Sequence, residues 1–424
     1  MDRAAVLAAV DDCADELVPW LAELVRLPSI GGTPEENDAQ AWLAPQLAGL
    51  GLEVDHWQLP LAELAARADF PGVEVPRSEA WGLVGRMAGT GGDGPAPARS
   101  LMLNAHVDVV PAGQLDTWQG GTPFSGEVIG DTLHGRGACD MKAGLAASYW
   151  ALVALSRSGI RLRGDLVLAC VQGEEDGGLG TYGLLDRGWR ADACVIPEPT
   201  SLDLVPANAG ALTFRLRVPG RATHASRRTE GVSAIEKFWP VWSALQELER
   251  ERNAAADPLV GRWALPYPLS IGQVSSGSWA SSVPDLLVAE GRLGVALDEP
   301  VEVARAALEA AVAAACERDA WLRDHPIQVE WWGGQFASGR LAAGSDLAAR
   351  VASAHRDAGG GSQDTWGAPY GSDLRLMNGP GGVPTLHYGP GDAALAHAPN
   401  ESVPISEVMT ATRTLALLAL DLCG

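Results

Sequence analysis

His106 and Asp108 stand two residues apart inside the apolar, β-branched run LMLNAHVDVVPAG (101–113). Such a run reads as a buried strand, and in a strand residues i and i+2 project from the same face. Burying an imidazole and a carboxylate costs several kcal/mol unless they are paired or bound to a metal. Other chemistry-bearing residues stand at similar places. Glu174 and Glu175 follow the run DLVLACVQG, and Glu198 follows ACVIP. Asp140 sits in the Gly-punctuated loop HGRGACDMKAG, and His397 in HYGPGDAALAHAPNES. Two histidines and several carboxylates, with no cysteine at the strand ends, suit a hard-to-borderline cation such as zinc, cobalt or manganese. The carboxylates exceed what one zinc needs, whereas one bridging carboxylate and two terminal ligands per metal would use them all. Two metals roughly 3.5–4 Å apart can share a water, lower its pKa and polarise a carbonyl. A carboxylate outside that ligand set is then available as general base.

The elements that must position these groups alternate. An amphipathic helix opens the chain, and a second helix ends near Gly49–Gly51 before a strand. After the Gly/Pro stretch GTGGDGPAPA (89–98), a loop by composition, come a strand over 100–110 and a helix over 142–158. A strand at 165–172, a short helix after Gly180 and a strand at 193–199 follow. This alternation predicts an α/β domain with a mainly parallel sheet. Ligands of such sheets bind at the carboxyl ends of the strands, so the residues above are expected to share one crevice.

A different pattern begins near Val205. Strands at 211–218, 268–274 and 286–297, a long helix over 231–252 interrupted at Pro240, a helix from Val301 and the strand IQVEWW follow one another. The order β-α-β-β-α-β is ferredoxin-like. The chain then resumes with a helix (347–358), the strand VPTLHYG and a C-terminal helix. The expected organisation is a split catalytic domain, residues 1–204 and 336–424, with a ferredoxin-like α+β domain inserted over 205–335.

Composition narrows the class. A chain of 424 residues exceeds one ordinary core, and 47% hydrophobic residues exclude a disordered protein. The net charge of −22, with Lys142 and Lys237 as the sole lysines, argues against a nucleic-acid partner. The six cysteines lack CxxC spacing, which suggests a reducing compartment. No basic n-region precedes an apolar stretch, and no run of eighteen apolar residues occurs. No membrane association is expected, and a cytoplasmic location is.

The motifs HVDVVPAG, GRGACDMKAG, GEEDGG, PEPT, GRATHAS, GSDLR and AHAPNES occur in that order. In this the chain resembles the di-zinc aminoacylase–carboxypeptidase family of metallopeptidases. That family includes acetylornithine deacetylase, succinyl-diaminopimelate desuccinylase, aminoacylase-1 and bacterial glutamate carboxypeptidase. The resemblance covers essentially the whole chain, and it implies two zinc ions per chain, with cobalt or manganese as substitutes. It assigns His106 and Glu198 to one zinc, His397 and Glu175 to the other, and Asp140 as the bridge. It makes Glu174 the general base and Asp108 the residue that orients His106. The peptide after the bridging aspartate, here Asp140–Met141, is commonly cis in the family. His224, in the inserted domain, is expected to reach the partner subunit's active site in a homodimer and donate to the developing oxyanion, worth about 3–4 kcal/mol. Arg375 matches an arginine that binds the substrate's α-carboxylate, for which a planar fork is suited.

The resulting expectation is an amidohydrolase acting on an N-acyl amino acid or related small amide, closest to acetylornithine deacetylase. A dipeptidase or carboxypeptidase is the nearest alternative, and a repurposed, non-hydrolytic biosynthetic enzyme the next. Two positions depart from the family pattern: Ser282 stands where Asn is frequent, and Thr223 where a small residue is usual. His56, His134, His325 and His355 read as structural or exposed, and His387 as a core histidine. The segment from Leu61 to Ala98 has no assigned role.

Overall fold

Long apolar runs flanked by glycine set the centre of the molecule. The computed structural model describes residues 2–92 and 98–424. Residues 93–97, the middle of the stretch expected to be a Gly/Pro loop, lie outside them. Helices α1 (Arg3–Asp11), α2 (Ala14–Arg26) and α3 (Pro34–Gly49) precede strands β1 (Glu53–Gln58), β2 (Trp81–Met87) and β3 (Leu101–His106). Next come α4 (Ala143–Arg157), β4 (Leu166–Val171), α5 (Leu179–Asp186), β5 (Ala193–Ile196) and β6 (Leu204–Asn208). Then follow β7 (Gly210–Pro219), α6 (Ala234–Asn253), β8 (Leu269–Ser276), β9 (Leu286–Val295), α7 (Val301–Glu317) and β10 (Gln328–Phe336). The chain closes with β11 (Gly339–Arg340), α8 (Leu347–Asp357), β12 (Thr365–Ala368), β13 (Thr385–His387) and α9 (Ile405–Cys423). The opening helix expected from the sequence is thus two helices, parted at Asp12–Cys13.

The chain divides into two units, Met1–Ala207 with Arg340–Trp366 and Asp373–Gly424, and Asn208–Gly339 with Gly367–Ser372. In the first, a nine-stranded sheet runs β1-β2-β4-β3-β5-β13-β6-β11, with β12 paired to β6. Its centre is parallel, β3 lying between β4 and β5, and β13 beside β5. The pairs β1–β2, β2–β4 and β13–β6 are antiparallel. The sheet is therefore mixed, where the sequence suggested a mainly parallel one. Helical crossovers α4 and α5 force the central strands parallel, whereas the connections outside them carry no such constraint.

Every residue of β3, β4 and β5 is buried, as expected of strands covered on both faces. Ala- and Leu-rich α4 is buried from Ala143 through Leu155. It reaches the sheet because residue 144 is glycine: a Cβ there would meet the Pro197 carbonyl oxygen at 1.9 Å. All six cysteines are free and buried. Among the described residues no helix is long and apolar enough to cross a membrane.

The second unit contains a four-stranded antiparallel sheet, β8-β9-β7-β10. Phe238, Val241 and Leu245 of α6 and Ala304, Leu308 and Val312 of α7 form its own core with the strands. Helix α6 runs unbroken through Pro240, where the sequence suggested an interruption. Pro240 deprives the Glu236 carbonyl of its helical partner, but both residues are exposed and water can take that place. The buried stripe continues on either side of the proline.

Candidate metal centre

Because β4, β3 and β5 are adjacent and parallel, their carboxyl ends lie side by side. His106 is the last residue of β3, in register with Val171 at the end of β4. Glu174 and Glu175 follow β4, and Glu198 follows β5 by two residues. Strand β3 stops at His106, two residues short of Asp108. The Asp108 backbone carbonyl lies 2.8 Å from His106 Nδ1, and the Asp108 carboxylate stands 3.7 Å from the same nitrogen. A carbonyl can only accept, so Nδ1 carries a proton. Nε2 is then the nitrogen left to face an electrophile. The Asp108 carboxylate accepts the backbone N–H groups of Glu174 (3.3 Å) and Glu175 (3.2 Å). One residue thus fixes both the imidazole and the acidic turn.

His106 Nε2 is 3.1 Å from Asp140 Oδ1 and 3.9 Å from Glu198 Oε1. His397 Nε2 is 2.9 Å from Glu175 Oε2 and 3.6 Å from Asp140 Oδ2. Asp140 therefore presents one oxygen to each histidine. One ligand atom each from His106, Asp140 and Glu175 lie within 4.8 Å of one another. His397, on a loop with its side chain 55% exposed, adopts φ 60°, in the left-handed region that a β-carbon disfavours. The Asp140–Met141 peptide is cis.

The electrostatics follow from crowding acids around two imidazoles. Burial pushes the Glu174 carboxyl well up, with Asp373 and Glu198 adding to the rise. Burial and then Asp140 do the same to Glu198. Burial opposes a charge on His106, yet the Asp140 hydrogen bond and the charges of Glu198 and Asp108 push it well up. Glu175 raises His397 to about 9. Asp140 stays below the usual carboxylate range: burial works against ionisation, but the His106 hydrogen bond and both histidine charges outweigh it. Without another cation, the cluster collects protons on its histidines to balance its carboxylates. The donor set, its surplus of negative charge and the two-sided Asp140 carboxylate all fit divalent cations.

Residues not foreseen from the sequence hold the loops. Glu401, fully buried, accepts the backbone N–H groups of Cys139 and Asp140 with Oε1, both at 2.9 Å. Its Oε2 accepts Arg136 Nη1 at 2.6 Å. Arg136 also donates to the Ala398 carbonyl at 3.3 Å and lies over the Trp118 ring. This pair ties the Asp140 loop to the His397 loop. Both residues sat inside quoted motifs, but a buried acid carries no distinguishing mark in sequence. Arg375 is buried and donates to the Gly177 carbonyl at 2.8 Å. Burial lowers its pKa to about 10, against the charges of Asp373 and Glu174. Asp373 accepts the Thr181 hydroxyl at 2.6 Å. His387 is fully buried at the end of β13.

His224 belongs to the second unit and not to this cluster. It is exposed, its Nδ1 2.8 Å from Ser226 Oγ, and it pairs in register with Ser282 across a two-stranded ladder. The two positions that sequence set apart as an oxyanion donor and a departure from pattern are direct neighbours.

Known proteins resemble this chain in sequence and in fold. The N-formyl-4-amino-5-aminomethyl-2-methylpyrimidine deformylase of Halalkalibacterium halodurans is 27% identical over 448 aligned positions, covering 99% of this chain and 97% of its own. The succinyl-diaminopimelate desuccinylase of Methylorubrum extorquens is 34% identical over 250 positions, 56% of each chain. The fold is that of the di-peptidase Dug1p from Saccharomyces cerevisiae, with a TM-score of 0.76 at 17% identity over 98% of both chains. A dinuclear metal-binding M20 peptidase from Bacillus subtilis superposes with a TM-score of 0.61 at 16% identity, over 96% of this chain and 99% of its own. The family model described as Peptidase family M20/M25/M40 matches residues 102–421, from within β3 almost to the end of α9. That span takes in every residue of the cluster, and the chain belongs to peptidase family M20/M25/M40, as a hydrolase of amide bonds.

Proposed function

We propose that the chain is a di-metal hydrolase of small N-acyl amines, with N-formyl and other short acyl groups the first class to test. The observation that carries this reading is the Asp140 carboxylate, which turns one oxygen to His106 and the other to His397. Glu198 would complete the set around His106, and Glu175 the set around His397. Two zinc ions held there, with cobalt or manganese as substitutes, would supply Lewis acidity and lower the pKa of a shared water.

The chain's own groups would move the protons. Glu174 lies beside ligand Glu175, buried near Glu198, Asp373 and His106. It would take a proton from the attacking water and deliver it to the departing amine. One water is consumed, and a carboxylate and an amine leave. His224 would donate to the oxyanion from the partner subunit of a homodimer, with Ser282 shaping the same strand pair. Arg375 would meet an anionic substrate group, a role that an amino-acid substrate requires and a neutral formylated amine does not.

The deformylase relative aligns along essentially its entire length, whereas the desuccinylase aligns over about half. That coverage favours a short acyl group on an amine over a succinyl-amino acid or a dipeptide. The test is amine release from a panel of N-formyl, N-acetyl and N-succinyl compounds plus dipeptides, with zinc or cobalt supplied. Turnover of the N-formyl members is expected. Turnover of dipeptides alone would overturn the reading in favour of a peptidase.

A further inference from the structure

Between the short helix at Leu61–Ala65 and β2 the chain runs fifteen residues, 66–80, without a helix or strand. An irregular stretch of that length inside a folded unit is uncommon, and it is usually functional. This one is strapped down along its length. The Tyr182 hydroxyl donates to Asp69 at 2.7 Å, and Phe70 meets the Tyr182 ring edge-on. The Gly72 carbonyl lies so close to the backbone of Gly177 that a Cβ there would stand 1.9 Å from it. Backbone N–H groups of Glu74 and Val75 both donate to Asp176 Oδ2 at 3.0 Å.

Arg77 closes the strap. Its side chain is 3% exposed and sits between two carboxylates. Nε and Nη2 donate to the two oxygens of Glu36, at 2.8 and 3.0 Å. Nη1 and Nη2 reach the two oxygens of Asp176, at 3.0 and 2.9 Å. Glu36 in turn accepts the Gly173 N–H at 3.0 Å. The turn that presents Glu174 and Glu175 is therefore held at both ends, Gly173 and Asp176, through one guanidinium. A planar fork can satisfy two carboxylates at once in this way, and an ammonium cannot.

We infer that Arg77, with Glu36 and the 69–77 strap, is a positioning device for the Glu174–Glu175 turn. The inference rests on the roles proposed above for those two residues. Arg77 spends its guanidinium on Asp176 and Glu36 and acts through them. Loss of its fork lets the turn shift, and a displacement of about 1 Å at the reacting groups lowers turnover about 100-fold.

The test compares R77M, R77K and D176N with R99Q, which breaks a half-exposed ion pair to Asp346 in the same unit. R77M should lower kcat about 100-fold with KM within about threefold. Cobalt affinity, read by absorbance titration, should fall about 10- to 100-fold. R77K should recover part of the loss, and R99Q should match the wild type. Hydrogen exchange on the metal-free protein gives a readout independent of activity: amides 173–178 should exchange at least about tenfold faster in R77M, with β5 unchanged. If R77M does not fold, R77K and D176N carry the same comparison at smaller amplitude. A lower melting temperature with unchanged kcat, cobalt affinity and loop exchange would overturn the inference. If the wild type releases no amine from any substrate, the proposed function fails. The exchange and cobalt data then still decide whether Arg77 holds the turn.

Discussion

Replacing Glu401 by Gln should damage both stability and metal binding. The carboxylate is fully buried; Oε1 accepts two backbone N–H groups of the Asp140 loop and Oε2 takes Arg136. Glutamine keeps the shape but offers one acceptor oxygen. If that oxygen keeps the Cys139 and Asp140 amides, the NH2 group faces the Arg136 guanidinium, donor against donor. Arg136 is then a buried cation without its counter-charge, and breaking such a pair costs about 3–5 kcal/mol. At about 1–2 °C per kcal/mol for a chain of this size, the melting temperature should fall by roughly 5 °C. The opposite flip leaves two buried N–H groups without acceptors at about 1–3 kcal/mol each, a loss of similar size. Asp140 and His397 sit on the two loops so tied, and cobalt affinity should fall about 10- to 100-fold. Urea unfolding of the metal-free protein measures the first effect, and cobalt titration the second. A change under about 0.5 kcal/mol with unaltered cobalt affinity would refute the idea that this pair holds the two loops.

Gly144 tests the approach of α4 to β5. G144A places a Cβ against the Pro197 carbonyl, so it should cost about 1–3 kcal/mol in urea unfolding and weaken metal binding by parting Asp140 from Glu198. Burial lowers the pKa of His355, so below about pH 6.5 the unfolded chain binds a proton that the folded chain refuses. Its contribution is therefore lost as pH falls from about 6.5 toward the folded pKa, and H355N should unfold with a shallower pH slope there. An unchanged slope would contradict that assignment. Chelation should lower the melting temperature, since a ligand at about 100 times its dissociation constant stabilises by about 2.7 kcal/mol; no shift on adding zinc back would argue against a metal site.

Much of the candidate cluster was legible because the runs of β3, β4 and β5 are nearly pure apolar sequence that ends abruptly in acids and a histidine. Strands buried on both faces leave few other places for such groups. The finer relation of His106 to Asp108 was not legible. The strand ends at His106, the Asp108 backbone carbonyl joins its carboxylate beside the imidazole, and local pattern does not mark that boundary. Arg77 and Glu36 lie 41 residues apart in segments without periodicity, so only tertiary structure joins them. Pro240 misled because sequence weighs the lost hydrogen bond but not whether the orphaned carbonyl faces water. The antiparallel outer strands of the large sheet escaped notice for a related reason. Alternating helices and strands reveal crossovers, and β1 and β2 enter the sheet without one.

The measurement that tests the central claim most directly is amine release by the wild type and E174Q on the N-acyl panel, with bound metal counted in both. Two equivalents of metal are expected in each protein, with turnover by the wild type and a loss of about 100- to 10,000-fold in E174Q. Equal turnover by E174Q with its metal intact would contradict the assignment of Glu174 as the group that moves the proton.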